Sequence, residues 1–519
     1  MYAVRATILL LALQLLSRCL GIIREIAIAW RFGASASTDA YFVAFSIPNA
    51  FYVVVGTSLT AVIVPLLAKY EAQGQHHESM RVASLAINVV LLFIGMLALG
   101  GILGASKIAW ALGGGFSAAT LKLTTQFTAL MMPSIVFLSV AGVMAGLLNC
   151  RHIFGPPALG PIALNLVIIL GALLAGAGGP RGMLGLVIAT VLGSVSFAAI
   201  QLFSLRGIGY RHRWTFDIKD PVVKRIFNML WPVVMLSGFN YLYTIIDFRL
   251  ASAMTEGSIT ALNYASKLIQ LPQGLFAMAV TTAIFPALSK LVHNAQEDEM
   301  ASLLVKGLRV IIVLAAPAAV GLAVIGEPLI QLLFQRGAFG AQATTMTSSA
   351  LLYMTIGLIG FCLNIPLIRA FYALQDLHTP LLVGLFSVGI KFLLSLALGE
   401  TMKHNGLALA TSIAVLLNAS ILALLMQRRL QCFLDYKFFI FARNVIITAC
   451  LMGGSVYLLN SFLTTCFQSG SIQLVARLAA DIVVGTIVFL LVAWLFRVNE
   501  VQELLSRMLP LLKRLHLIT

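Results

Sequence analysis

Apolar residues run through this chain in blocks of about 20 to 30, separated by short polar breaks. A helix needs roughly 20 apolar residues to cross a bilayer. Windows of that length give fourteen segments: 6–30, 38–68, 82–106, 122–149, 157–178, 183–205, 222–252, 259–289, 305–325, 342–373, 379–400, 405–427, 440–463 and 474–496. Pro48 and Pro272 lie inside two of the longer segments, which predicts kinked helices. A membrane β-barrel would show short alternating strands instead. The first block follows Arg5 and imitates a signal peptide. It lacks a small-x-small cleavage site and continues through Arg18 and Arg24 to Trp30, so it reads as an uncleaved first span. The pattern therefore predicts an all-α polytopic membrane protein with about fourteen transmembrane helices.

An internal repeat organises these spans. Pro65-Leu66-Leu67-Ala68-Lys69 closes the second and Pro286-Ala287-Leu288-Ser289-Lys290 closes the eighth. Pro48 and Pro272 match upstream, and Pro157 and Pro380 open spans five and eleven, at a lag of about 221–224 residues. Six spans per copy is an even number, so both copies share one orientation. The expected architecture is two pseudo-symmetric six-helix lobes, 1–206 and 207–430, with any substrate site between them. Two additional transmembrane helices fall in 431–497. Residues 498–519, with Leu504, Leu505, Leu511 and Leu512 beside Arg507, Lys513 and Arg514, read as a cytoplasmic amphipathic tail.

Composition agrees: of 519 residues, 60% are hydrophobic and 10% charged. The net charge of +16 would suggest nucleic acid, but its distribution argues otherwise. With the N-terminus inside, cytoplasmic segments carry twenty-one of the 34 Lys and Arg residues, and outer segments carry only Arg31, Lys107, Lys122, Arg181, Arg336 and Lys403. That asymmetry predicts both termini in the cytoplasm, with the basic loops facing anionic lipid headgroups. The six cysteines are scattered without a CxxC pair, which supports neither a metal site nor a disulfide framework.

The charges left inside spans carry the functional signal. They are Arg18, Arg24, Arg249, Lys267, Arg369, Lys391 and Arg477 against Glu25, Asp39, Asp247 and Asp481. Each costs about 2.5–3.5 kcal/mol at the bilayer centre unless it has water, a partner or a polar ligand. A basic excess suits an anionic ligand better than a cation. On span 1, Ser17, Gly21 and Arg24 share a helix face, and Arg18 lies roughly 9 Å of helical rise from Arg24. Two guanidinium forks at that spacing could grip a diphosphate. The competing structural reading pairs Arg18 or Arg24 with Asp39, and Glu25 with another basic residue. Lys267 lies mid-span in the second repeat, and the repeat places it across the cavity from spans 1 and 2. Asp247 and Arg249, near the end of span 7, read as a rim or gate pair as readily as substrate contacts. His293 and Asp298 match an acyltransferase-like H-x4-D spacing, but within a short polar loop. No nucleotide-binding or cofactor motif is present, so transport would be passive or coupled to an ion gradient or the membrane potential.

At these residues the chain resembles the MurJ (MviN) family of lipid II flippases, within the multidrug/oligosaccharidyl-lipid/polysaccharide exporter superfamily. The resemblance rests on Ser17-Arg18, Gly21 and Arg24, on Arg31-Phe32-Gly33-Ala34, on Thr38-Asp39-Ala40-Tyr41-Phe42, and on Ile47-Pro48-Asn49. It continues in Gly257-Ser258-Ile259, Leu262-Asn263-Tyr264-Ala265, Lys267-Leu268 and Phe285-Pro286-Ala287. It implies a membrane lipid transporter, not an enzyme. Such a protein carries an undecaprenyl-diphosphate-linked peptidoglycan precursor from the inner to the outer leaflet of the bacterial cytoplasmic membrane by alternating access. It also implies that Arg18, Arg24 and Lys267 bind the diphosphate, that Asp39 is the essential acid of the cavity, and that the two additional helices hold the lipid tail. Other diphosphate-linked glycans, of teichoic or O-antigen type, and an ion-coupled drug antiporter of the same superfamily are the alternatives.

Overall fold

The computed structural model describes residues 2–176, 179–215, 217, 219–294, 296–430, 434–466, 471–498 and 500–502. Among these residues all regular structure is helical. Lipid explains this: with no water to bond peptide groups, a helix satisfies its own N–H and C=O groups.

The chain forms two compact units, Met1–Thr260 with Arg336–Ala343, and Ala261–Gln335 with Thr344–Thr519. The first contains α1 (Tyr2–Phe32), α2 (Ala36–Phe51), α3 (Thr57–Ala72), α4 (His76–Leu103), α5 (Ala105–Gly113), α6 (Ala118–Met131), α7 (Pro133–Cys150), α8 (Gly155–Leu174), α9 (Pro180–Gly207) and α10 (Pro221–Ala251). Then come α11 (Ser258–Pro272), α12 (Met278–His293), α13 (Glu297–Phe334), α14 (Ala341–Ile356), α15 (Leu358–Ala373), α16 (His378–Met402), α17 (His404–Arg429), α18 (Tyr436–Cys466) and α19 (Ser471–Leu495).

Among the described residues every expected apolar segment contains helix, but the count of fourteen spans is not reached by length and composition alone. Eleven helices among the described residues qualify, and α14 with α15, bent by 48°, make a twelfth if they form one span. The other two segments are α1 and α10, each 31 residues long. The ninth segment is longer than its apolar window. α13 starts at Glu297, where Glu297, Asp298 and Glu299 complement the positive end of the helix dipole. It runs through Pro317 and Pro328 to Phe334. The amphipathic tail expected over 498–519 lies, beyond residue 502, outside the described residues.

In the first unit, Leu59, Ile63 and Leu67 of α3 pack with Ala83 of α4 and with Val143 and Leu147 of α7. α10 packs on α3, α4 and α5. In the second, Leu304, Leu308 and Ile312 of α13 meet Leu367 of α15, Leu422 of α17, and Val445 and Ala449 of α18. The two additional helices thus join the second unit through α13. Arg309 of α13 anchors them, bonding Glu500 at 3.1 Å and lying 5.2 Å over the Phe441 ring.

The repeat is written into the backbone. Residues Tyr52–Gly56 join α2 to α3 as a single wide π turn, and Gln273–Ala277 join α11 to α12 in the same way. The Thr57 N–H bonds the Tyr52 carbonyl, and the Met278 N–H bonds that of Gln273, each five residues back. Tyr52 to Gln273 and Pro65 to Pro286 are the same step of 221 residues. Each wide turn follows a proline, Pro48 or Pro272, which lacks the N–H that a regular helix needs.

The first wide turn lies against α7 at Gly142, where an added Cβ would sit 2.3 Å from the Gly56 oxygen. Thr60 Oγ1 also donates to the Gly142 carbonyl at 2.8 Å. Gly142→Ala is therefore expected to destabilise the first unit by about 1–3 kcal/mol through overpacking. A lowered thermal midpoint of the purified protein in detergent checks this; an unchanged midpoint would refute the close approach.

Candidate functional site

Arg24 is held on three sides within the first unit. Its Nη2 contacts Glu25 Oε1 at 2.5 Å, and its Nη1 donates to Asn165 Oδ1 of α8 at 3.0 Å. The guanidinium carbon lies 5.4 Å from the centroid of the Phe45 ring. Phe45 in turn stacks on Tyr41 with centroids 5.8 Å apart, and the Tyr41 hydroxyl meets Thr190 Oγ1 at 3.0 Å. The Arg24 side chain is 11% exposed and that of Glu25 only 3%. Asn165 closes the loop by donating Nδ2 to the Ser17 carbonyl at 3.3 Å. A planar cation is thereby fixed by a carboxylate, an amide and an aromatic face. Glu25 Oε2 is buried with no hydrogen-bond partner among the described residues.

The expected pairing of Arg24 with Asp39 is not how these side chains are placed. Arg24 pairs with its own neighbour, and the buried Asp39 meets the first turn of α11. Asp39 Oδ2 accepts the Gly257 N–H at 2.7 Å. Its Oδ1 accepts both the Thr260 N–H, at 2.8 Å, and the Thr260 hydroxyl, at 2.6 Å. The N-terminal N–H groups of a helix lack intrahelical acceptors and carry partial positive charge, so a carboxylate there is well matched. Gly257 can make the approach because its φ of +86° belongs to the left-handed region.

The turn between α1 and α2 is fixed by two further contacts. The Ala338 N–H donates to the Trp30 carbonyl at 2.9 Å. Arg31 donates Nε and Nη2 to the Ala175 carbonyl at 3.1 and 2.8 Å. An added Cβ on Gly33 would lie 2.3 Å from the Ala338 oxygen.

The remaining expected residues are placed as follows. Arg18 is exposed on α1 and Ser17 half-buried. Lys267 is half-buried on α11, in the second unit. Asp247 is half-buried near the end of α10. Arg249 lies 5.9 Å over the Trp110 ring of α5, beside the glycine turn after that helix. His293 and Asp298 are both exposed. Among the described residues no three His, Cys, Asp or Glu side chains gather as metal ligands.

Sequence reasoning missed Asn165 and Thr260, and it gave no contact to Phe45 or to Gly257, which counted only as part of a motif. Asn165 left a usable signal, as a lone amide in the apolar run Ala163–Leu170. The others left little, since Asp39 is held mainly through backbone donors.

Residues 28–477 match the family model described as lipid II flippase MurJ. The lipid II flippase MurJ of Burkholderia cenocepacia is 32% identical over 82% of this chain and 84% of its own length. The probable lipid II flippase MurJ of Vibrio cholerae is 29% identical over 80% and 82%. A solved lipid II flippase MurJ in an inward closed conformation superposes with a TM-score of 0.79 at 25% identity, covering 94% of this chain and 98% of that one. An inward-facing MATE family multidrug transporter shares the fold at a TM-score of 0.69 and 12% identity, over 82% of this chain and 98% of its own. With its family model spanning most of the sequence and its fold matched nearly end to end, this multi-pass membrane chain belongs to the MurJ lipid II flippase family.

Proposed function

We propose that the chain carries lipid II, the undecaprenyl-diphosphate-linked peptidoglycan precursor, from the inner to the outer leaflet of the cytoplasmic membrane by alternating access. The observation that carries this reading is the orientation of Arg24 by Glu25, Asn165 and Phe45 inside a membrane-spanning unit. The diphosphate competes with Glu25 for the guanidinium, so cargo binding exchanges one ion pair for another. Arg18, on the same helix, supplies further positive charge to the same headgroup. Glu25, released by the cargo, takes Arg24 back once the cargo leaves. Ser17 holds Asn165 through its carbonyl and so keeps the amide aimed at Arg24.

The basic loops support an orientation with both termini in the cytoplasm, in which the α1–α2 turn and the start of α11 face outward. Asp39 then acts as an outer latch: its hydrogen bonds to Gly257 and Thr260 form in one state of the cycle and break in the other. Arg249 and Asp247 lie on the same outer rim.

Reconstituted liposomes carrying fluorescent lipid II in one arm, and a teichoic- or O-antigen-type carrier lipid in another, test this. Lipid II translocation dependent on the protein is expected. Translocation of the other carrier alone would transfer the reading to that glycan, and movement of neither would overturn it.

A further inference from the structure

α19 carries a buried acid for which lipid transport gives no use. Asp481 lies ten residues into the helix, about 15 Å from its first residue and so near the middle of its length. It is 2% exposed, and neither carboxyl oxygen has a hydrogen-bond partner among the described residues. Burying an ionised carboxylate in this way costs far more than burying the neutral acid.

The natural counter-ion is present but turned away. Arg477 lies one turn earlier on the same helix face. Its Nη2 donates instead to Asn460 Oδ1 of α18 at 2.6 Å, while its Nε is buried without a partner. α18 and α13 pack on α19. Gly485, one turn after Asp481, meets Val456 and Met452 of α18, and Gly453 of α18 meets Val320 and Val324 of α13. At this level the ionisable side chains of those two helices are Cys450 and Tyr457 on α18 and Glu327 on α13. All three are exposed. Arg477 is thus the one charged group on Asp481's own face.

We infer that Asp481 is a proton-binding site. In the arrangement seen, its carboxyl carries the proton and Arg477 rests on Asn460. When the proton passes to water, the carboxylate takes the Arg477 guanidinium as its ion-pair partner, and the bond to Asn460 breaks. No other bond changes. Proton occupancy therefore selects between two arrangements of the α18–α19 pair, so proton is the ligand class this pair takes.

The test uses the full chain in lipid nanodiscs and needs no transported lipid, so its outcome is independent of the cargo. Infrared difference spectra between the native protein and Asp481→Asn, an isosteric change, should contain the carbonyl band of a protonated carboxylic acid at neutral pH. Raising the pH should remove the band. Arg477→Gln, which deletes the ion pair of the deprotonated form, should raise its proton affinity about tenfold, a shift of one pH unit in the midpoint. Asn460→Leu, which releases Arg477, should lower it by a similar factor. Absence of the band at neutral pH overturns the assignment. So does a band that never titrates, or a midpoint that neither variant moves.

Discussion

Arg24→Ala is expected to reduce lipid II translocation by at least about 100-fold in reconstituted vesicles. The guanidinium makes two charge-assisted contacts within the first unit, to Glu25 and Asn165. Bonds of that kind to a cargo phosphate are worth about 1.5–3 kcal/mol each, and every 1.4 kcal/mol is tenfold in affinity. The substitution has a second effect, because it strands Glu25 in a buried position. Removing one partner of a buried pair costs about 3–5 kcal/mol. A low yield of Arg24→Ala alone would therefore confuse folding with transport. The double variant Arg24→Ala with Glu25→Gln removes the stranded charge. It should recover most of the thermal stability and none of the transport. Recovery of transport in the double variant would mean that Arg24 only neutralises Glu25. Arg24→Lys should keep the fold with much reduced transport, since an ammonium cannot present a planar fork to Asn165 and a phosphate together.

Asp39→Ala should have the next largest effect, and by a different route. The carboxylate accepts three hydrogen bonds, two of them from backbone N–H groups with no other acceptor in the helix. Their loss should release the first turn of α11. Amide hydrogen exchange over residues 256–261 should then accelerate by about 100-fold or more, given roughly 1–3 kcal/mol for each group left unsatisfied. Transport should fall with it, because the latched state is no longer held. Asp39→Asn is the sharper variant. It keeps one acceptor oxygen but turns an amide donor toward an N–H donor, so it should show most of the loss with little change in volume. Unchanged exchange in Asp39→Asn would remove the latch from the mechanism.

The architecture was legible because lipid imposes it. An apolar block of bilayer length has almost no alternative to helix, and the repeat was visible in the spacing of Pro65 and Pro286. The helix ends were less legible. α13 outruns its apolar window because charged residues at its start are favoured by the dipole rather than by burial. At the site, the basic residues announced themselves by their cost in lipid, but their partners did not. Adjacent residues on a helix point about 100° apart, which made Arg24 and Glu25 look destined for different neighbours. The Arg side chain is long enough to fold back onto Glu25 and still reach Asn165 and Phe45. The partners of Asp39 were hidden for another reason: a backbone N–H has no letter in the sequence.

The wide turns at Tyr52–Gly56 and Gln273–Ala277 set the aim of the upstream helices by their pitch more than by their side chains. Each spends five residues on a turn that an ordinary helix closes with about four. Deleting one residue would remove the bulge and leave the flanking helix faces nearly where they are. Tightening the turn to ordinary pitch with all five residues kept would instead twist everything before it by about 90–100° relative to everything after it. Asp39 stands upstream of the first turn and Lys267 upstream of the second. A tightened first turn would swing Asp39 off Thr260, and a tightened second would re-aim Lys267, with no side chain altered. These two short stretches are therefore the places where a change of backbone pitch alone re-aims a helix.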